Sequence, residues 1–305
     1  IFVSFLLGLI IFYMLHHFFF NELPLPGFFS LWPFLIGMLM INALGLFDDF
    51  RSIKAWIKVL VQLAAAAVVV VFGNRIGIID IPTFGISIKL GPFSYILSIL
   101  WILGLSNAVN LLDGLDGLAG GTVAIIALFI AAISVLHQNY VAAAAGIILF
   151  GSLVGFLVYN LPPAKIFMGD SGSLFLGFFI AILPFIGKQI PSRTTSIFLL
   201  TITMSAVPIL DTLAAIIRRL RKRKPVLSPD RAHLHHKLLD LGYKEPAILG
   251  IIYPFTIFLG IICMLSVVYS HILLQLILPF AWVVLIGVFI LMDRIYRKHT
   301  KEQPR

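Results

Sequence analysis

Twelve side chains suited to phosphate chemistry lie in four short polar islands of an otherwise apolar 305-residue chain. The first island is Gly45-Leu46-Phe47-Asp48-Asp49. Adjacent carboxylates repel each other and call for a cation or a basic partner. A solvated helix end neutralised by Arg51 and Lys54 is the plainer reading. The second island runs from Asn107 to Gly121, with Asn107, Asn110, Asp113 and Asp116 three residues apart. On a helix they share one slowly drifting face, and the glycines at 114, 117, 120 and 121 let backbone approach a ligand or turn sharply. A glycine-rich turn with two capping aspartates is the alternative. The third island, Asn160 to Ser173, contains Phe167-Met168-Gly169-Asp170-Ser171. Asp170 stands where a helix wants an N-cap, and a helix start also offers N–H groups to phosphate. The fourth is Asp230-Arg231-Ala232-His233-Leu234-His235-His236-Lys237. Structural zinc generally takes four Cys and His ligands, and the single cysteine, Cys263, lies in an apolar run. Histidine and arginine donors for a diphosphate are the better account. Magnesium prefers oxygen ligands and often joins one or two carboxylates to substrate phosphates. With basic side chains it neutralises charge in phosphoryl transfer. The inventory reads as metal-assisted transfer between phosphates.

What must position these islands is a bundle of membrane helices. The chain is 60% hydrophobic and 11% charged, with a mean hydropathy of +1.07, against roughly 45–50% and 25% in soluble domains. A helix crosses the hydrocarbon with about 20 apolar residues. Ten runs qualify or nearly so, at 1–20, 29–47, 56–73, 93–106, 121–136, 141–158, 173–187, 195–217, 247–269 and 272–292. The expected fold is therefore all-α integral membrane, with about ten spans forming one polytopic domain over residues 1–305. Alternation of Ile79, Ile81, Ile86 and Ile88 around Pro82 and Gly85 predicts a small hairpin near 78–90. Loops after even-numbered runs, with the tail, hold eighteen of the 22 Lys and Arg. By the positive-inside rule that face and the C-terminus are cytoplasmic, and the hairpin is outside. The net charge of +9 is then a topology signal, which argues against nucleic acid. Every island falls on the inner face. Asp211, near the inner end of the eighth run, is an intramembrane carboxylate, either functional or paired with a base. A transporter is the rival class, but carriers place polar groups near the midplane.

These four motifs, in this order, resemble the polyprenyl-phosphate N-acetylhexosamine-1-phosphate transferases (glycosyltransferase family 4) over nearly the whole chain. The His-x-His-His form of 233–236 is more similar to the WecA/TagO branch than to the related MraY enzymes. The resemblance implies magnesium-dependent transfer of GlcNAc-1-phosphate from UDP-GlcNAc to undecaprenyl phosphate, releasing UMP. Manganese is the alternative ion, and UDP-MurNAc-pentapeptide the alternative donor. Such a step opens a cell-envelope glycopolymer pathway, such as teichoic acid or O-antigen synthesis. It further implies catalytic roles for Asp48, Asp49 and Asp170, with Asn110 and Asp170 on the metal. Asp116 and Phe167 would meet uracil, while Asn107, Asp113 and Asn160 would form polar walls. Arg231, His233, His235 and His236 would grip the diphosphate or sugar phosphate. The partners implied are a UDP-sugar, a polyprenyl phosphate and the membrane, and a homodimer is allowed. Ile1 opens inside an apolar run, so the expectation is a preceding helix and inner loop, giving eleven spans in the intact protein.

Overall fold

A computed structural model describes residues 1–19, 31–81, 86–187, 191–223, 225, 233–269 and 272–302. Twelve helices and one hairpin occupy them: α1 (Phe2–Phe19), α2 (Trp32–Phe50), α3 (Ala55–Val71), β1 (Ile78–Ile81), β2 (Ile86–Lys89), α4 (Phe93–Leu112), α5 (Leu118–Leu136), α6 (Tyr140–Asn160), α7 (Gly169–Ile182), α8 (Pro191–Met204), α9 (Ala206–Arg221), α10 (Leu234–Asp240), α11 (Glu245–Tyr269) and α12 (Ile272–Glu302). The protein is thus an all-α integral membrane protein with one small sheet. In that sheet β1 and β2 pair antiparallel, Ile79 opposite Ile88 and Asp80 opposite Ser87. Pro82 and Gly85, expected at the turn, lie outside the described residues.

The ten apolar runs all become helices, though not equal ones. Among the described residues seven helices are long and apolar enough to cross a membrane, or eight when α8 and α9, bent by 68° from each other, are taken as one span. Pro208 explains the bend, since it has no N–H to give the Met204 carbonyl one turn back. The run at 195–217 is therefore two segments rather than one straight span. The remaining two, α3 and the α7 segment to Phe185, are shorter. Their length matters less because α7 is interior: every residue from Gly172 to Ile182 is buried.

Backbone groups in lipid are satisfied within a helix, but lipid tails are as apolar as leucine. Helices therefore associate through close packing of small residues. Gly45 of α2 faces the start of α7, where an added Cβ would stand 2.3 Å from Ser171 Cα. Gly177 of α7 faces α4, where a Cβ would stand 2.7 Å from the Leu105 carbonyl oxygen. Ala65, Ala66, Val69 and Val70 line the buried face of α3. A phenylalanine cluster locks α1 onto the outer side of α7, with the Phe5 and Phe179 rings 4.7 Å apart, edge to face. The result is a central post, α7, flanked tightly by α2 and α4. Its first residues emerge beside the ends of both neighbours.

Candidate active site

At that end of the bundle the islands converge. The two aspartates closing α2 have different partners. Asp49 accepts hydrogen bonds from the backbone N–H groups of Asp170 at 2.7 Å and Ser171 at 3.2 Å, so it caps α7 from a neighbouring helix. Gly169 makes room for it: its φ is +66°, and a Cβ would lie 2.7 Å from an Asp49 oxygen. Asp48 accepts from the Ile53 N–H at 2.7 Å and from Lys58 Nζ. Lys58, one turn into α3, also donates to Asp170 at 2.8 Å. One ammonium thus joins two carboxylates from different helices.

Asn110 completes the setting of Asp170, donating to its carboxylate at 3.2 Å and to Ser173 Oγ at 2.9 Å. Asp113 and Asp116 follow where α4 ends. Asp116 accepts from the Ala164 N–H at 2.9 Å. Asn160, buried at the end of α6, accepts from the Gly117 N–H at 3.0 Å and donates to the Ile166 carbonyl at 2.8 Å. Tyr253 of α11 donates to the Gly117 carbonyl at 2.6 Å. These bonds fix the glycine turn against the 161–168 loop. Between them opens a cleft of about 320 Å³, lined by Asn110, Asp113, Gly114, Leu115, Asp116, Asn160, Phe167, Met168, Gly169, Asp170 and Ser173. Phe167 stands at its mouth, 79% exposed.

Burial pushes the Asp113 carboxyl up to about 7, helped by the Asp170, Asp116 and Asp49 carboxylates nearby. The cleft therefore holds negative charge in excess of its basic partners. Among the described residues no three His, Cys, Asp or Glu side chains converge into a cage for a metal. The donor set nonetheless fits magnesium shared with substrate phosphates, which needs only one or two protein carboxylates. Asp170 and Asn110 are the residues so placed.

The histidine island approaches from the side. His235 is seated on the glycine turn, where a Cβ on Gly114 would stand 2.3 Å from its Nε2. His236 lies beside it, with ring centroids 4.3 Å apart. His233 is buried and held by Asp211 at 2.9 Å. Burial, with His236 adjacent, lowers the His235 imidazole to about 4. The same short helix is clasped by α12 through Lys237–Asp293 at 2.8 Å and Tyr296–Asp240 at 2.8 Å.

The structure thus gathers Asp48, Asp49, Asn110, Asp113, Asp116, Asn160, Phe167 and Asp170 around one end, with His233, His235 and His236 at its flank. Arg231 lies outside the described residues. Asn107 points elsewhere, donating to Gln62 at 2.6 Å and to the Leu103 carbonyl at 2.8 Å. Sequence reading missed Lys58, which it counted only as a topology charge, as well as Ser173 and Tyr253. A lysine one turn inside an apolar run was the available signal, because such a charge demands a partner. The polar groups sit at one end of the bundle rather than midway along it, which disfavours a carrier.

The chain also resembles known proteins. The profile of Glycosyl transferase family 4 matches residues 31–188. A Bacillus subtilis protein named "Probable undecaprenyl-phosphate N-acetylglucosaminyl 1-phosphate transferase" is 36% identical over 218 residues, covering 72% of this chain and 61% of that protein. The decaprenyl-phosphate N-acetylglucosaminephosphotransferase of Mycolicibacterium smegmatis is 39% identical over 234 residues, 70% of this chain and 58% of the relative. The phospho-N-acetylmuramoyl-pentapeptide-transferase of Leuconostoc mesenteroides is 34% identical over 223 residues, 70% and 65%. The chain spans less than two thirds of the length of these relatives.

Proposed function

The chain belongs to glycosyl transferase family 4, and from that premise we propose that it transfers N-acetylglucosamine-1-phosphate from UDP-GlcNAc to a polyprenyl phosphate, undecaprenyl phosphate by expectation, releasing UMP. The observation that carries this reading is the cleft at one end of the bundle, acidic within and aromatic at its mouth. A uracil ring stacks on Phe167, and Asp116 and Asn160 hold the turn that walls the base. The diphosphate extends inward toward Asp170 and Asn110. Asp170 and Asn110 would hold magnesium there, and the ion would supply charge neutralisation for the phosphates.

An oxygen of the lipid phosphate attacks the β-phosphorus, the bond from that phosphorus to the bridging oxygen breaks, and UMP leaves with that oxygen. Asp49 uses both carboxylate oxygens to cap α7, and Asp48 is bound at both oxygens. Those bonds position the pair, and each carboxylate keeps lone pairs to orient or deprotonate the lipid phosphate. Lys58 holds Asp170 in place and brings positive charge to where phosphate oxygens gather. The site opens at the bundle end, so the prenyl tail stays in lipid while its phosphate reaches the cleft. The loops on this face carry most of the Lys and Arg, which supports a cytoplasmic active site and C-terminus in the cell membrane.

The relatives named for phospho-N-acetylmuramoyl-pentapeptide transfer keep UDP-MurNAc-pentapeptide as a second donor. A panel of radiolabelled UDP-sugars, incubated with the intact protein, undecaprenyl phosphate and magnesium, decides between them. Label entering the lipid phase from UDP-GlcNAc, with matching UMP release, is the expected result. Label from the pentapeptide donor alone selects the second reading, and transfer from no donor overturns both.

A further inference from the structure

Asp211 is a buried carboxylate with no part in the reaction just described. It lies on α9 beyond the 68° break and is 3% exposed. Both of its oxygens are taken up by one short stretch of chain. One is 2.9 Å from His233 Nδ1, and the other accepts the Leu234 backbone N–H at 2.9 Å. A buried carboxylate needs such partners. Here they come from the first turn of α10, where His233 itself supplies no side-chain cap.

The contact has a chemical consequence. A carboxylate accepts and does not donate, so Nδ1 of His233 carries the proton and Nε2 is left as the ring's free edge. The His233 and His235 rings are nearly parallel, with planes 5° apart and centroids separated by 6.0 Å. His235 is buried against Gly114, and neither of its ring nitrogens has a hydrogen-bond partner among the described residues. An unpartnered buried imidazole beside the cleft is what a bound phosphate oxygen would satisfy.

We infer that Asp211 is a positioning residue: it fixes His233 as the Nδ1–H tautomer and anchors the first turn of α10, so that the imidazoles stand beside the Gly114 turn to meet the donor's diphosphate. The diphosphate clause rests on the transferase reading, whereas the pairing of Asp211 with α10 does not.

Asp211→Asn tests it in the intact protein. The amide keeps an acceptor for the Leu234 N–H but turns a donor toward Nδ1, moving the His233 proton to Nε2. UMP release is expected to lose at least about 10-fold in kcat, with a smaller change in KM and an unchanged thermal midpoint in detergent. On a His233→Gln background the same substitution is expected to cause no further loss. Independently of turnover, the rate at which the His233 Cε1 hydrogen exchanges, followed by mass spectrometry, is expected to change in Asp211→Asn. Wild-type kinetics in the variant, full additivity with His233→Gln, or an unchanged His233 exchange profile overturns the assignment. A wild-type protein that releases no UMP while His233 exchange still responds to Asp211→Asn overturns the transferase reading and supports the pairing.

Discussion

Asp170 carries the most connections in the site, held by Lys58 and Asn110 while its own N–H is capped by Asp49. Asp170→Asn removes the charge without changing the shape, and UMP release is expected to fall about 10³-fold or more, with membrane insertion intact. Lys58→Met leaves Asp48 and Asp170 without their shared counter-charge, and is expected to reduce both turnover and thermal midpoint. His235 makes a pH-dependent contribution. Its folded value, about 4, lies below the unfolded value near 6.5, so the stability from keeping it neutral is present above 6.5. That stability is lost as pH falls toward 4, by at most about 1.4 kcal/mol per pH unit. Asp113, raised to about 7, acts in the opposite direction over the interval down to about 4. The difference between wild type and His235→Gln isolates the histidine: the variant's thermal midpoint should fall less between pH 7 and pH 5. At this scale the sequence showed most of the acidic and imidazole groups through spacing alone. Lys58 and Gln62 stayed opaque because part of their meaning comes from partners 45 to 112 residues away, and Asp211 was legible as functional or paired while its partner, His233, was not.

Among elements, the approach of α2 and α4 to α7 brings the islands together. Gly45 is the tightest point, since the atom a Cβ would meet is backbone. Gly45→Ala is expected to cost about 1–3 kcal/mol through displaced helices and to reduce turnover, because α2 carries Asp48 and Asp49. Gly104→Ala is the control. Nothing lies within 4 Å of its would-be Cβ, so helix propensity alone acts and the thermal midpoint should hold or rise. Hydropathy made the ten apolar segments legible, and alternation did the same for the hairpin. The bend at Ser205 was hidden, since Pro208 sits within a run apolar enough to read as continuous. Asn107 shows the limit of periodicity. Three-residue spacing put it on the face of Asn110 and Asp113, but that face drifts, and Asn107 meets Gln62 of α3 instead.

Across the whole molecule, the charge asymmetry between the two ends makes a prediction about orientation. In a Cys263→Ala background, Ser87→Cys should react with an impermeant maleimide on intact cells, and Lys298→Cys only after permeabilisation. The reverse pattern would invert the assigned sidedness. The last helix has 31 residues, roughly 46 Å at 1.5 Å per residue, where the hydrocarbon is about 30 Å deep. Its clasp on the histidine helix, at Asp293 and Tyr296, falls about 32–36 Å from its start, close to the depth of the hydrocarbon. The helix is thus a ruler set against membrane thickness. A thicker bilayer draws the clasp toward the acyl chains, and a thinner one lets it stand clear. Turnover in proteoliposomes should accordingly peak at one acyl-chain length, and Asp293→Asn should flatten that dependence.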